Sequence, residues 1–109
     1  MDLNEYQTKS KKSAVYPSFG ANYVYPALGL ASEAGEVAGK IKKAIRDNNG
    51  VIDEARKEGI KGELGDVLWY AAQLATELGL TLDEIAEANI EKLYSRLEKG
   101  TIKGDGDNR

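Results

Sequence analysis

Glu33-Ala34-Gly35-Glu36 and Glu63-Leu64-Gly65-Asp66 are the two stretches whose reading decides this fold. Each places two carboxylates three residues apart, which on a helix means one face, one turn apart. Two helices that each deliver such a pair can build an oxygen-rich nest suited to a hard divalent cation such as Mg²⁺.

Both stretches sit inside long helical patterns. The first helix is expected from about Tyr25 to Arg46, with Pro26 in its first turn and Asp47-Asn48-Asn49-Gly50 as its stop. The second is expected from about Asp53 to Leu78, with Asp53 as N-cap, Gly79 as stop and a break near Gly59–Gly62 as an option. On a helical wheel zeroed at Glu33, the residues Leu30, Val37, Ile41, Ala44, Ala34, Ala38 and Ile45 form an apolar stripe at roughly 20° to 140°. Glu36, Lys40 and Lys43 fall beside Glu33 at roughly 280° to 340°. Zeroed at Glu63, the second helix repeats the plan: Leu74, Val67, Ile60, Leu78, Ala71, Leu64, Ala75 and Leu68 make the stripe, and Asp66 and Tyr70 flank Glu63. Glu36 and Glu63 each lie ~15 Å along the axis from the connecting loop. A short loop makes the helices antiparallel neighbours, so the two acidic pairs come level on one side.

The rest of the chain supplies further helices. Asp2 to about Ser13 reads as a short amphipathic helix resting on Leu3 and Tyr6. Pro17 and Gly20 break the pattern after it, where Tyr16, Phe19, Tyr23 and Tyr25 crowd together. These rings are expected to pin the first helix to the core, with stacking on a flat ligand as the sharper alternative. Thr81-Leu82-Asp83-Glu84 is a capping box that opens a last helix, which runs to about Lys99 and stops at Gly100. Its stripe is Leu82, Ala86, Ile90, Leu93, Tyr94 and Leu97, beside a donor row of Asn89, Lys92, Arg96 and Lys99 of the kind that holds phosphate oxygens. Trp69 lies off the stripe and is expected to be a contact between subunits. The expectation is an all-α fold: a four- to five-helix bundle with two long antiparallel central helices, completed by oligomerisation. Residues 1–100 form a single all-α domain in this reading, and 101–109 a polar, Gly-rich tail.

Composition narrows the chemistry. The 109 residues carry a net charge of −3 and contain neither His nor Cys. That excludes disulfides, thiolate zinc sites, Ser-His or Cys-His nucleophiles and His-dependent di-iron sites. Any metal must be held by oxygens, which leaves magnesium, manganese or calcium. The acidic balance argues against a protein that coats nucleic acid. No run of ~20 apolar residues and no charged-then-apolar leader is seen, so the expected place of work is the cytoplasm, with no membrane partner.

Leu28-Gly29-Leu30-Ala31-Ser32-Glu33-Ala34-Gly35-Glu36-Val37 followed by Gly62-Glu63-Leu64-Gly65-Asp66-Val67-Leu68-Trp69-Tyr70 resembles the MazG-like nucleotide pyrophosphohydrolases of the all-α NTP pyrophosphatase superfamily. The family signature is Glu-Glu-x-x-Glu, a spacer, then Glu-x-x-Asp. The likeness continues through Asn89-Ile90-Glu91-Lys92-Leu93 and Arg96 to Gly104-Asp105-Gly106-Asp107-Asn108-Arg109. Ser32 departs from it, standing where the fuller motif has its first Glu, which bears on a second metal ion or part of the substrate contact. The resemblance implies Mg²⁺-dependent hydrolysis of a (d)NTP to a (d)NMP and pyrophosphate, in the service of the nucleotide pool, with Mn²⁺ as a substitute ion. It implies Glu33, Glu36, Glu63 and Asp66 as metal ligands, with Glu36 or Glu63 handling the proton of the attacking water. Asn89, Lys92 and Arg96, helped by Lys40 and Lys43, would hold the polyphosphate, and Tyr70 would join the substrate contacts. It also implies a homodimer or homotetramer with nucleotide sites at subunit boundaries. In that setting Asp105, Asp107 and Arg109 either close over a neighbouring nucleotide or stay in solvent.

Two other readings compete. One is a catalytically idle helical module that keeps the fold and nucleotide affinity. The other is a calcium module, which ranks last because the chain lacks the acidic loop with its central Gly.

Overall fold

Capping chemistry sets the helix ends in the computed structural model, which describes residues 1–100 and 103–107. Helix α1 spans Leu3–Ser10, opened by the Asp2 carboxylate accepting the Glu5 N–H at 2.8 Å. A single 3-10 turn, Lys11–Ser13, follows it, so the first element tightens at Lys11 instead of running on as α-helix. Helix α2 spans Val24–Asn48 and ends through Asn49 and Gly50, both left-handed at φ 53° and 76°. Helix α3 spans Glu54–Glu77, with Asp53 accepting the Arg56 N–H at 2.9 Å, and it runs unbroken through Gly59, Gly62 and Gly65. Helix α4 spans Leu82–Lys99 behind the expected Thr81/Glu84 capping box, and Gly100 closes it. There is no strand among the described residues.

The antiparallel α2–α3 pair is the main tertiary contact, as the short loop requires. Helix α1 lies against α3 and the start of α4. Gln7 is its main polar anchor: its Nε2 donates to Thr76 Oγ1 at 3.0 Å and to the Leu80 carbonyl at 2.9 Å, and its Oε1 accepts from the Leu82 N–H at 2.8 Å. Below it, Ala72, Ala75 and Leu82 form a small buried cluster with Tyr6 against it. Of the four rings expected to pin the first helix, Tyr16 alone is buried, stacked on Tyr25 with ring centroids 5.0 Å apart, while Phe19, Tyr23 and Tyr25 are exposed. Trp69 also packs within the chain: its Nε1 donates to Ser13 Oγ at 2.8 Å and its ring meets Tyr70 edge-on.

The apolar stripes are only partly used within one chain. The α2–α3 contact runs along the edge that carries Glu33 and Glu63, so Ile41 and Ile45 on α2, and Leu64 and Leu68 on α3, stay exposed on the other edge. Helix α4 packs on α1 and barely touches the long pair, which leaves Ile90, Tyr94 and Leu97 exposed as well. The radius of gyration is 16.6 Å, against about 13 Å for a close-packed chain of this length.

Candidate active site

Glu33 on α2 and Glu63 and Asp66 on α3 each offer a carboxylate oxygen, and the three oxygens lie within 4.8 Å of one another. Glu33 and Glu63 are half-buried along the helix contact, and Asp66 is exposed. The crowding raises the Glu33 carboxyl above the usual carboxylate range. The chief cause is a hydrogen bond shared with Glu63, followed by partial desolvation and the charges of Asp66, Glu63 and Glu36. Three carboxylates held this close repel one another, and a divalent cation is the group that relieves that repulsion, so the donor set fits an oxygen-ligated ion. Glu36 stands outside the three-oxygen group but close enough for its charge to act on Glu33.

Two phenols border this acid group. Tyr70 lies directly over Gly29, where a Cβ would collide with the ring. Burial raises its pKa first, and the nearby Tyr25, Glu33 and Asp66 add to the rise. Tyr6 on α1 is raised by burial and then by the charge of Asp66. Lys40 approaches from α2, its Nζ 3.8 Å from Glu63 Oε1.

The family whose model matches residues 26–101 is described as the MazG nucleotide pyrophosphohydrolase domain. The chain belongs to that family. In this MazG domain the match takes in both acidic pairs, the hairpin that brings them together and the whole of α4. The chain is also similar to the Gene 37 protein of Mycobacterium phage L5, 42% identical over 114 residues and covering all of both chains. That name states no activity. No solved structure matches. Among the described residues no helix is long and apolar enough to cross a membrane.

The basic row has a different setting from the one expected of a MazG site complete in one chain. Asn89, Lys92 and Arg96 ride on α4, which barely touches the hairpin, and the tail folds back onto Lys92 and Arg96. Asp107 Oδ1 accepts from Lys92 Nζ at 3.0 Å and from Arg96 Nη2 at 3.3 Å, and the same Nη2 donates to the Gly106 carbonyl at 3.3 Å. Both cations hold the Asp107 carboxyl below its usual range. Arg96 is buried at 4% exposure, a state that arginines adopt when they are paired, and Asp107 is its paired acid. Residues 101, 102, 108 and 109 lie outside the described residues, and with them the expectation for Arg109.

Sequence reasoning missed Glu77, which organises the loop beside the site. Its carboxylate accepts from Tyr16 Oη at 2.6 Å, the Gly20 N–H at 2.8 Å and the Asn22 N–H at 3.0 Å. Desolvation pushes its pKa up, but these three donors outweigh it and leave the group lowered. A signal was available: an acid in the last turn of a helix opposes the macrodipole and needs compensating donors.

Proposed function

We propose that the protein is a divalent-cation-dependent nucleoside triphosphate pyrophosphohydrolase, cleaving (d)NTP to (d)NMP and pyrophosphate in the cytoplasmic nucleotide pool. The observation that carries this reading is the group of three carboxylate oxygens within 4.8 Å on the hairpin of a MazG chain. Glu33, Glu63 and Asp66 are the direct ligands in this proposal, with Glu36 completing the set or taking the proton of the attacking water; Glu63 is the second candidate for that step. A bound Mg²⁺ or Mn²⁺ supplies positive charge against the phosphate oxygens and acidifies water. Tyr70 lines the substrate, and Lys40 and Lys43 face its phosphates from the same hairpin.

Asn89, Lys92 and Arg96 enter from a second copy of the chain. Two observations support a homodimer or homotetramer with shared sites: α4 leaves its own hairpin, and the hairpin keeps a row of exposed apolar residues. Residues 1–100 act as one domain in this scheme, with 101–109 as its tail.

The test is pyrophosphate release from a panel of NTPs. Release is expected with Mg²⁺ or Mn²⁺ and abolished by EDTA. Glu36→Gln and Asp66→Asn should each lose about 100-fold or more in kcat, the scale of a lost general base or ion ligand. Release unchanged by EDTA, or tight nucleotide binding without products, would overturn it in favour of another mechanism or the idle module.

A further inference from the structure

The acidic side of the hairpin continues past its carboxylates in both directions, and its chemistry changes along the way. Toward the start of α2 and the end of α3 it is aromatic, with Tyr70 over Gly29 and the Tyr25 ring 6.4 Å away, centroid to centroid. Toward the α2–α3 turn it becomes basic. There a cleft of about 460 Å³ opens between the helices, lined by Lys40, Lys43, Asp47, Ala55, Arg56 and Gly59. Gly59 lies one helical turn before Glu63, and the Lys40 side chain crosses it: a Cβ on Gly59 would sit 3.6 Å from Lys40 Nζ. The same ammonium faces Glu63 at 3.8 Å, so one lysine joins the cleft to the acid group.

The cleft has a cationic surplus. Asp47 is the one carboxylate among its lining residues, and Arg46 grips it with two hydrogen bonds of 2.8 Å. Arg56 is steadied by a 2.7 Å bond from Nη1 to Asp53, the residue that also caps α3. A guanidinium carries five N–H donors, so the rest of that fork suits a second anion. Two ammonium groups and a guanidinium around one open space are the donors that phosphate oxygens select.

We infer that this cleft receives the terminal phosphates of the substrate. A nucleoside triphosphate lies along the α2–α3 groove with its base toward Tyr25 and Tyr70 and its β- and γ-phosphates on Lys40, Lys43 and Arg56. The inference rests on the pyrophosphohydrolase reading and adds to it a direction and a residue, Arg56. It also gives a reason for preferring triphosphates: a diphosphate reaches less far into the cleft.

The experiment uses the full chain, with inorganic tripolyphosphate as probe in EDTA and calorimetry as readout. In parallel, kcat/KM is compared for an NTP and its NDP with Mg²⁺ present. Lys43→Gln and Arg56→Gln should each weaken tripolyphosphate binding by about three- to tenfold, the scale of one lost charged contact at a partly exposed site. They should also narrow the preference for NTP over NDP. Arg56→Gln also disturbs the start of α3, so Lys43→Gln, whose ammonium has no ion pair among the described residues, is the decisive variant. Parent-like binding and preference in Lys43→Gln would overturn the inference while leaving hydrolysis standing. A parent that hydrolyses nothing yet binds tripolyphosphate through Lys43 would retain the cleft and overturn the hydrolase reading.

Discussion

Gly29 carries no side chain because the Tyr70 ring occupies the space a Cβ would take. That close approach sets Tyr70 beside Glu33 and Asp66, so one glycine on α2 fixes a phenol at the acid group on α3. Gly29→Ala is therefore expected to destabilise by about 1–3 kcal/mol, the usual cost of overpacking, because the whole ring must move. It should also lower turnover, through the displaced Tyr70. Gly35 is the control. It lies on the same helix, between Glu33 and Glu36, but a Cβ there meets nothing within 4 Å. Gly35→Ala should leave stability unchanged or raise it by about 0.5–1 kcal/mol through helix propensity. Urea unfolding of the two variants separates them; equal effects would mean that the Tyr70 contact is not tight.

Among the elements, the hairpin was legible and the surroundings were not. Its caps and its loop are local signals, and the structure returns the helix ends within a residue or two. Of the four carboxylates expected to converge, it brings three together and leaves Glu36 outside the group. The direction of α4 is not a local property. Its capping box and its two ends were read correctly, but the four-residue turn before it and the Gln7 anchor send it along α1. That leaves Ile90, Tyr94 and Leu97 of the expected stripe exposed and buries Arg96 of the expected donor row. Arg96 illustrates the limit: its type and wheel position say anion, and only the folded tail shows an aspartate on it. Glu77 shows the same at the end of α3: its place in the last turn says that it needs donors, and only the folded loop shows them to be the Tyr16 hydroxyl and the Gly20 and Asn22 amides. Because its folded pKa is lowered, Glu77 stabilises the aromatic loop above the ordinary glutamate range, and that contribution is lost as pH falls below about 4.3 toward the folded value. Glu77→Gln should lower stability at pH 7 by about 1–2 kcal/mol and flatten the acid limb of the stability–pH curve. A variant with the parent's acid limb would assign that limb to other carboxylates such as Asp47, Asp53 and Asp107, which are lowered too.

For the molecule as a whole, the decisive quantity is how little of its apolar surface one chain buries. The exposed Ile41, Ile45, Leu64 and Leu68 form a face across the hairpin from the acidic side, and Ile90, Tyr94 and Leu97 form another on α4. Each Å² of such surface removed from water contributes about 25 cal/mol, which in the proposed assembly offsets the entropy cost of association. The same association would bring α4 of one copy to the hairpin of another, replacing the weak, exposed Asp107 contact on Lys92 with substrate phosphate. Sedimentation should therefore give a dimer or tetramer, and Ile45→Glu, remote from the acid group and 65% exposed in the single chain, should dissociate it with loss of turnover. Mass alone does not distinguish shared sites from sites merely close together. Mixing does: Asp66→Asn and Arg96→Ala, each inactive by itself, should recover part of the parental activity when combined and allowed to exchange subunits. Hybrid assemblies then contain one site with an intact acid group from the second chain and an intact basic row from the first. Two inactive variants that stay inactive after exchange would place both halves of the site in one chain.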